Sequence, residues 1–281
     1  MHPLDGSFLK LRRANEHLQV INDLIQGFLK RKPYRIVNDF IGQGQTRECL
    51  LRLEQVEEIP LDLPLIIGDV CNNLRSALDH LLWQLLLLSD PSFNGIVFFP
   101  ICDTESSFKK NRTLEYIKGL SDAQRTAIES LQPYKTRNTA LSFLRDVNNS
   151  DKHRLIQVIV EVAKVKRIRI TANPTKALLH VPMPPAIRIQ RINNTKIENG
   201  TILARIPLNR FSRGTQVNVK SNATVEFAFK GSKTANGQII ETAINAMLSE
   251  VSRTITYFES EFANSGVSKF KWSFQDSPLL Q

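Results

Sequence analysis

A row of short polar residues on one predicted helix is the first part of this sequence that could do chemistry. Asp69, Asn73, Ser76 and His80 follow one another at steps of four, three and four residues. Side chains at these spacings share one face of an α-helix. His80 is the member of the row that titrates near neutral pH, so it is the natural acid–base candidate.

This polar row has two interpretations, and the sequence leaves both open. It is either the solvated face of an amphipathic helix, which is the usual arrangement, or part of a hydrogen-bonded network or ligand site. A solvated face normally holds Lys, Glu and Gln, whereas Asp, Asn, Ser and His are poor helix formers that make specific hydrogen bonds. Arg75 and Asp79 flank the row at a spacing of four residues and can form an ion pair.

A second polar segment lies between a predicted helix and a Val- and Ile-rich stretch. Its residues are Asn148, Asn149, Ser150, Asp151, Lys152, His153 and Arg154. The residues at its start can cap a helix, and the three basic residues at its end suit the recognition of phosphate or carboxylate. A solvated basic turn is the alternative interpretation. The Asp and His residues of both segments could hold a metal ion only if the segments meet in space.

The chain is basic, which favours an anionic partner such as RNA. It has 37 Lys and Arg against 27 Asp and Glu, a net charge of +10. Basic residues that could follow a phosphate backbone are spread over several predicted elements: Lys10, Arg12, Arg13, Lys109, Lys110, Arg112, Lys164, Lys166, Arg167 and Arg169. No aromatic-interleaved RNA-binding motif accompanies them, so ordinary surface charge is the alternative. We expect any specific use of the charge at the two polar segments.

Composition and motifs exclude several classes of protein. The chain has 281 residues, 42% of them hydrophobic and 23% charged, as in a globular protein with a substantial core. It contains no Walker or dinucleotide-binding glycine pattern, no nucleophile elbow and no His-Glu-x-x-His motif. Cys49, Cys71 and Cys102 lack the spacing of zinc ligands, and their odd number does not suit a disulfide framework. We predict reduced thiols, no metal centre and no cofactor.

The sequence also predicts a cytoplasmic protein without membrane contact. The N-terminal residues lack the apolar core of a signal peptide. The longest apolar stretch, 81–88, is far shorter than the roughly 20 residues that span a bilayer.

Hydrophobic periodicity predicts an α+β fold. N-terminal helices with a β-hairpin lead to a long central helix at 65–88, with one apolar and one polar face. Strand-like segments follow from residue 155, in a meander or open barrel, and a helix at 238–262 closes the fold. The predicted regions are 1–154, mainly helical; 155–263, β-rich with the closing helix; and 264–281, a loose tail. A single compact domain is equally compatible with this pattern.

Four short motifs resemble a family of uncharacterised bacterial proteins. The first runs from Gly68-Asp69 through Asn73-Leu74-Arg75-Ser76-Ala77-Leu78-Asp79-His80-Leu81. The others are Phe99-Pro100-Ile101, Gln132-Pro133-Tyr134 and Asn148 followed by Asp151-Lys152-His153-Arg154. The resemblance covers about residues 7–160 and carries no known activity.

A looser resemblance links the long helix to the HEPN superfamily of helical ribonucleases and nucleotide-binding proteins. Its signature is an Arg followed after four to six residues by a His, and Arg75 and His80 fit the shortest spacing. The β-rich half has no counterpart in the minimal HEPN bundle. On a regular helix the two side chains point about 140° apart, so they converge only across a cleft or a dimer. The resemblance implies RNA-directed activity and a possible homodimer.

Three hypotheses result. In the first, Arg75 binds a scissile phosphate and His80 acts as general base, while Lys152, His153 and Arg154 hold neighbouring phosphates of RNA or another anionic ligand. A further hypothesis is a small-molecule or nucleotide pocket between helix and sheet, with a cavity next to His80.

In the second hypothesis the chain is a non-enzymatic interaction module. A buried polar network then locks the long helix to the Asn148–Arg154 segment. Its members are Asp69, Asn73, Arg75, Asp79, His80, Asn148, Asp151, Lys152, His153 and Arg154.

Overall fold

The computed structural model describes residues 2–55, 57–173, 190–191, 199–209, 216–231, 234 and 237–265. The helices are α1 (Asp5–Lys30), α2 (Asp62–Ser89), α3 (Glu105–Phe108), α4 (Asn111–Ile117), α5 (Asp122–Ser130), α6 (Pro133–Thr136), α7 (Ala140–Asp151) and α8 (Ile240–Tyr257). The strands are β1 (Tyr34–Ile41), β2 (Glu48–Gln55), β3 (Gln157–Asn173), β4 (Gln190–Arg191), β5 (Ile202–Pro207) and β6 (Gln216–Lys230). The predicted α+β class is confirmed.

The chain divides into two units that interleave along the sequence. The first unit comprises Met1–Ile25, Leu61–Val158 and Phe229–Gln281. The second unit comprises Gln26–Pro60 and Ile159–Ala228. The N-terminal hairpin is therefore grouped with the later strands, and the closing helix with the earlier helices.

The first unit is built around α2, which packs against α7 and α8. Leucines, alanine and valine line the buried side of α2 at helical spacing, as the periodicity predicts; fully buried members are Val70, Leu74, Ala77, Leu78, Leu81 and Leu85. On α8 the buried stripe includes Ile244, Met247, Val251 and Ile255. Because α2 is held on its apolar side, its polar positions are fixed relative to α7.

The second unit contains an antiparallel sheet in the strand order β1-β2-β5-β4. β1 and β2 pair from Tyr34 opposite Gln55 to Ile41 opposite Glu48. The hairpin turn uses Gly42 and Gly44 at positive φ, as the Gly-Gln-Gly sequence predicts. Buried residues of this sheet, together with Leu208 just after β5 and Val219 of β6, form one hydrophobic core. Its members are Cys49, Leu51, Leu53, Leu203, Ala204, Ile206, Leu208 and Val219.

Three sequence-based expectations about elements are corrected. The composition of the apolar run 96–101 predicts a short strand, but the run is irregular in the structure. The sequence pattern predicts one helix over 104–112, where the structure has α3 and the start of α4. It also predicts two strands, 216–220 and 224–229, which form one continuous strand, β6. The tail predicted to be loose lies outside the described residues from residue 266 onward.

Among the described residues, no helix is both long enough and apolar enough to cross a membrane. The cytoplasmic location of the chain stays a prediction.

Candidate functional site

Arg75 is a buried cation on α2, although the catalytic hypothesis requires it to face a ligand. The residue is 4% exposed. Its Nη2 donates to Oδ1 of Asp79 at 2.9 Å and to the carbonyl oxygen of Phe99 at 2.5 Å. The guanidinium lies on the ring of Phe98, with Cζ 3.9 Å from the ring centroid. Burial lowers the pKa of Arg75, and the charge of Asp79 opposes this shift.

Asp79 accepts a hydrogen bond from the backbone of Phe99, the residue whose carbonyl oxygen Arg75 binds. Its Oδ1 accepts from the amide of Phe99 at 2.7 Å. Burial raises the pKa of Asp79, whereas the charges of Arg75 and Lys152 and the hydrogen bonds lower it. Arg75 and Asp79 thus bind the C=O and the N–H of Phe99, as a neighbouring strand would do in a sheet.

Gln132 binds the next part of the irregular segment. Its side chain is fully buried, and its Oε1 accepts from the amide of Cys102 at 2.8 Å. Its Nε2 donates to the carbonyl oxygens of Pro100 at 3.1 Å and Ile128 at 3.0 Å. Because these partners are buried backbone groups, the glutamine satisfies groups that would otherwise be costly.

Side chains of α7 bind the far end of the segment. Arg145 Nη1 donates to the carbonyl oxygen of Ile101 at 3.3 Å, and its Nη2 donates to Oδ2 of Asp103 at 2.7 Å. The hydroxyl of Ser142 donates to Oδ1 of Asp103 at 2.5 Å. Residues 99–103, which we call the clamped segment, are therefore held by side chains of α2, Gln132 and α7.

The clamped segment contains the Phe99-Pro100-Ile101 motif. Residues of two other motifs bind it, the one at 68–81 and the one at 132–134. The pairing of Arg75 with Asp79 was predicted from their spacing. The roles of Gln132, Ser142 and Arg145 were not predicted, because their partners in the clamped segment lie 30 or more residues away along the chain. These hydrogen bonds join α2, Gln132 and α7 to the clamped segment. The second hypothesis instead places a polar network between α2 and Asn148–Arg154.

His80 faces a different element from Arg75. It is exposed on α2 and lies against α1, where a Cβ added to Gly6 would come 2.7 Å from its Nδ1. Desolvation and the charge of Lys10 lower the pKa of His80, and Asp79 raises it. The structure thus does not bring Arg75 and His80 to one phosphate-binding cleft, because the first is buried against Phe98 and Phe99.

Asp69 and Asn73 make a local contact. The Nδ2 of Asn73 donates to the backbone carbonyl oxygen of Asp69 at 2.8 Å, and the Asp69 side chain is exposed. This part of the polar row is mainly solvated, which matches the simpler of its two interpretations.

Asp151 is where the two polar segments meet. A Cβ added to Gly68 would lie 2.6–2.7 Å from the carboxyl group of Asp151, so α7 ends directly against α2. Desolvation and the charge of Asp69 raise the pKa of Asp151. Burial, together with the Asp151 charge, raises the pKa of Cys71 to about 12. The absence of a side chain at Gly68 permits this close approach.

The basic end of the second segment is exposed. Asn148 is buried within α7, whereas Lys152, His153 and Arg154 are exposed. Arg154 Nη2 donates to the carbonyl oxygen of Gly231 at 3.4 Å. A cavity of about 10 Å³ beside Arg154 has room for one water molecule, and so it cannot hold a nucleotide.

The described residues contain no group of three or more His, Cys, Asp or Glu that could hold a metal ion. Comparison of the chain with protein-family models, with curated proteins and with solved structures finds no match. The resemblances drawn from the motifs therefore stay predictions.

Substitution of Asp151 by asparagine is expected to stabilise the protein at neutral pH. The raised pKa means that folding disfavours the ionised form, so stability falls as the pH rises through that pKa. Removal of the like-charge contact and of a negative charge at a helix C-terminus should raise the free energy of unfolding by roughly 0.5 kcal/mol at pH 7. Urea denaturation at pH 7 and near pH 4 measures the effect, which should shrink at the lower pH.

Asp23→Asn is the matched control, because Asp23 is exposed on α1 and its replacement also removes one negative charge. Equal stabilisation by both variants would indicate a general charge effect instead of the contact at Gly68.

Proposed function

We propose that this chain is a non-catalytic RNA-binding protein whose second unit carries the binding surface. One observation supports this most directly: the excess positive charge belongs entirely to the second unit. The residues of that unit include 18 Lys and Arg against 8 Asp and Glu, a net charge of +10. Subtraction from the totals of 37 and 27 leaves 19 of each sign in the first unit, a net charge of zero.

Such an uneven distribution matters because phosphate backbones are bound through locally concentrated positive charge. Range 159–228 alone has 12 Lys and Arg against 3 Asp and Glu. Acidic residues on the described sheet of this unit are largely paired: Arg52 with Asp39 at 2.7 Å, Arg35 with Glu54 at 2.8 Å and Arg205 with Glu48 at 3.4 Å. These pairs use equal numbers of each sign, so the excess resides in other basic residues.

The two polar segments of the first unit are not where the excess charge lies, contrary to the expectation from sequence. Their three basic residues, Arg75, Lys152 and Arg154, are matched by Asp69, Asp79 and Asp151. Arg75 also has too little exposed surface to contact a phosphate. A scaffold role for the Arg75 network, with binding elsewhere, is the part of the second hypothesis that the geometry favours.

The test is binding of a labelled single-stranded RNA, measured by fluorescence anisotropy between about 50 and 200 mM salt. A protein that uses several phosphate contacts loses affinity steeply, with a slope in log salt of about 0.7 per contact for single strands. No measurable binding at the lowest salt would contradict the proposal. The RNA should also remain intact, because no cleavage is proposed.

Two variants, each lacking four positive charges, locate the RNA-binding surface. The first replaces Lys164, Lys166, Arg167 and Arg169 with glutamine, and the control replaces Lys109, Lys110, Arg112 and Lys118. The control residues are exposed on the first unit. We expect the first variant to lose about tenfold or more in affinity and to show a shallower salt slope. Equal losses of RNA affinity in both variants would indicate that the RNA-binding surface lies outside the second unit or extends over the whole chain.

A further inference from the structure

The β1–β2 hairpin of the second unit ends in two adjacent exposed apolar residues. Phe40 is 48% exposed and Ile41 is 43% exposed. Successive residues of a strand point to opposite faces, so the apolar surface is presented on both sides of the hairpin end. Phe40 is therefore an aromatic side chain at the surface of the unit that carries the excess positive charge.

Phe40 is exposed although it lies on the core face of the sheet. Phe40 pairs with Cys49 and shares the core face, and the core covers this face nearby, where Asn38 Nδ2 donates to the carbonyl oxygen of Val219 at 2.6 Å. Cys49 is fully buried, but Phe40 lies one pair from the end of an edge strand. The aromatic ring thus extends beyond the core that holds its neighbours.

The charges around Phe40 favour an anionic partner. The turn residues 42–46 carry no charge, and Arg47 follows them. The two nearest acidic residues in the strands, Asp39 and Glu48, are each paired with an arginine. No unpaired carboxylate of the hairpin end therefore repels a phosphate that approaches the ring.

We infer that Phe40 stacks on an unpaired base of single-stranded RNA, with the basic residues of the same unit binding the phosphates. Proteins that bind single strands combine these two contributions, a positive surface for the backbone and aromatic rings for the bases. A duplex does not offer its base faces, so the inference predicts a preference for single strands. The inference rests on the proposed function, which is that the chain binds RNA.

The test compares Phe40→Ala, Phe40→Leu and Phe40→Trp in binding single-stranded RNA. Base–aromatic stacking contributes about five- to 150-fold in affinity per base. We expect losses of this order for alanine and leucine, and affinity close to wild type for tryptophan, with an unchanged salt slope in all three. Leucine keeps the apolar surface without an aromatic face, so it separates stacking from general hydrophobic contact.

Ile41→Ala is the matched control, because it removes a neighbouring exposed apolar side chain; it should change affinity less than about twofold. Duplex RNA should bind the Phe40 variants and the wild type equally. RNA binding that is unaffected in Phe40→Ala would overturn this inference alone, whereas no RNA binding by the wild type would overturn the proposed function as well. If light scattering shows a dimer that Phe40→Ala dissociates, the ring serves a second copy and the inference is wrong.

Discussion

Replacement of Arg75 by alanine should lower the free energy of unfolding by about 3–5 kcal/mol. The loss arises because the partners of the guanidinium remain buried. Asp79 keeps a carboxylate whose side chain is 27% exposed, and the carbonyl oxygen of Phe99 loses its donor. The ring of Phe98 also loses the cation that lies 3.9 Å from its centroid. Urea denaturation measured by circular dichroism gives the change.

Lys109→Ala is the control for the loss of one cation from an ion pair. Lys109 pairs with Glu105, but both side chains are more than half exposed. Such solvent-exposed pairs contribute little to stability, so the control should change the free energy of unfolding little. A double-mutant cycle with Asp79→Asn should show strong coupling to Arg75. Loss of less than about 1 kcal/mol in Arg75→Ala would contradict the structural role.

The same variant distinguishes the structural role from the catalytic hypothesis. Under conditions in which Arg75→Ala remains folded, the proposed function expects its RNA affinity to equal that of the wild type. An Arg75 that contacts a scissile phosphate would instead produce a large loss of binding or cleavage with little loss of stability. The two measurements therefore give opposite patterns for the two hypotheses.

Sequence periodicity predicts α2 well because the helix is long and its buried leucines recur over several turns. The same reasoning fails at 96–101, where Ile, Val and Phe give the composition of a buried strand. That segment obtains its backbone partners from Arg75, Asp79, Gln132 and Arg145 instead of from another strand. Hydrophobic pattern alone does not distinguish these two ways of satisfying buried backbone groups.

The candidate site shows a similar division between local and long-range information. The Arg75–Asp79 pair follows from a spacing of four residues on a helix. Most of the excess charge can be seen in the linear sequence, because the continuous range 159–228 has 12 Lys and Arg against 3 Asp and Glu. What the sequence alone does not give is that the ranges of the first unit, which are separated along the chain, come together in one unit with a net charge of zero.

Gln132→Met should destabilise the protein by about 2–4 kcal/mol. Methionine nearly preserves the volume of the side chain but leaves the buried amide of Cys102 and the carbonyl oxygen of Pro100 without partners. Each buried group left unpaired costs about 1–3 kcal/mol. Urea denaturation measures the loss, and Gln26→Met, at an exposed position of α1, should stay within about 0.5 kcal/mol of the wild type.

A second measurement tests whether the effect is local to the clamped segment. Cys49, Cys71 and Cys102 are all buried, free thiols. Gln132 binds the backbone of Cys102, so its replacement should increase the rate of thiol labelling at Cys102 under native conditions while Cys49 and Cys71 stay protected. Equal acceleration at all three thiols would indicate global unfolding and contradict a local role. Selective labelling of Cys102 would mean that one glutamine performs for residues 100–102 the hydrogen bonding that a neighbouring strand supplies in a sheet.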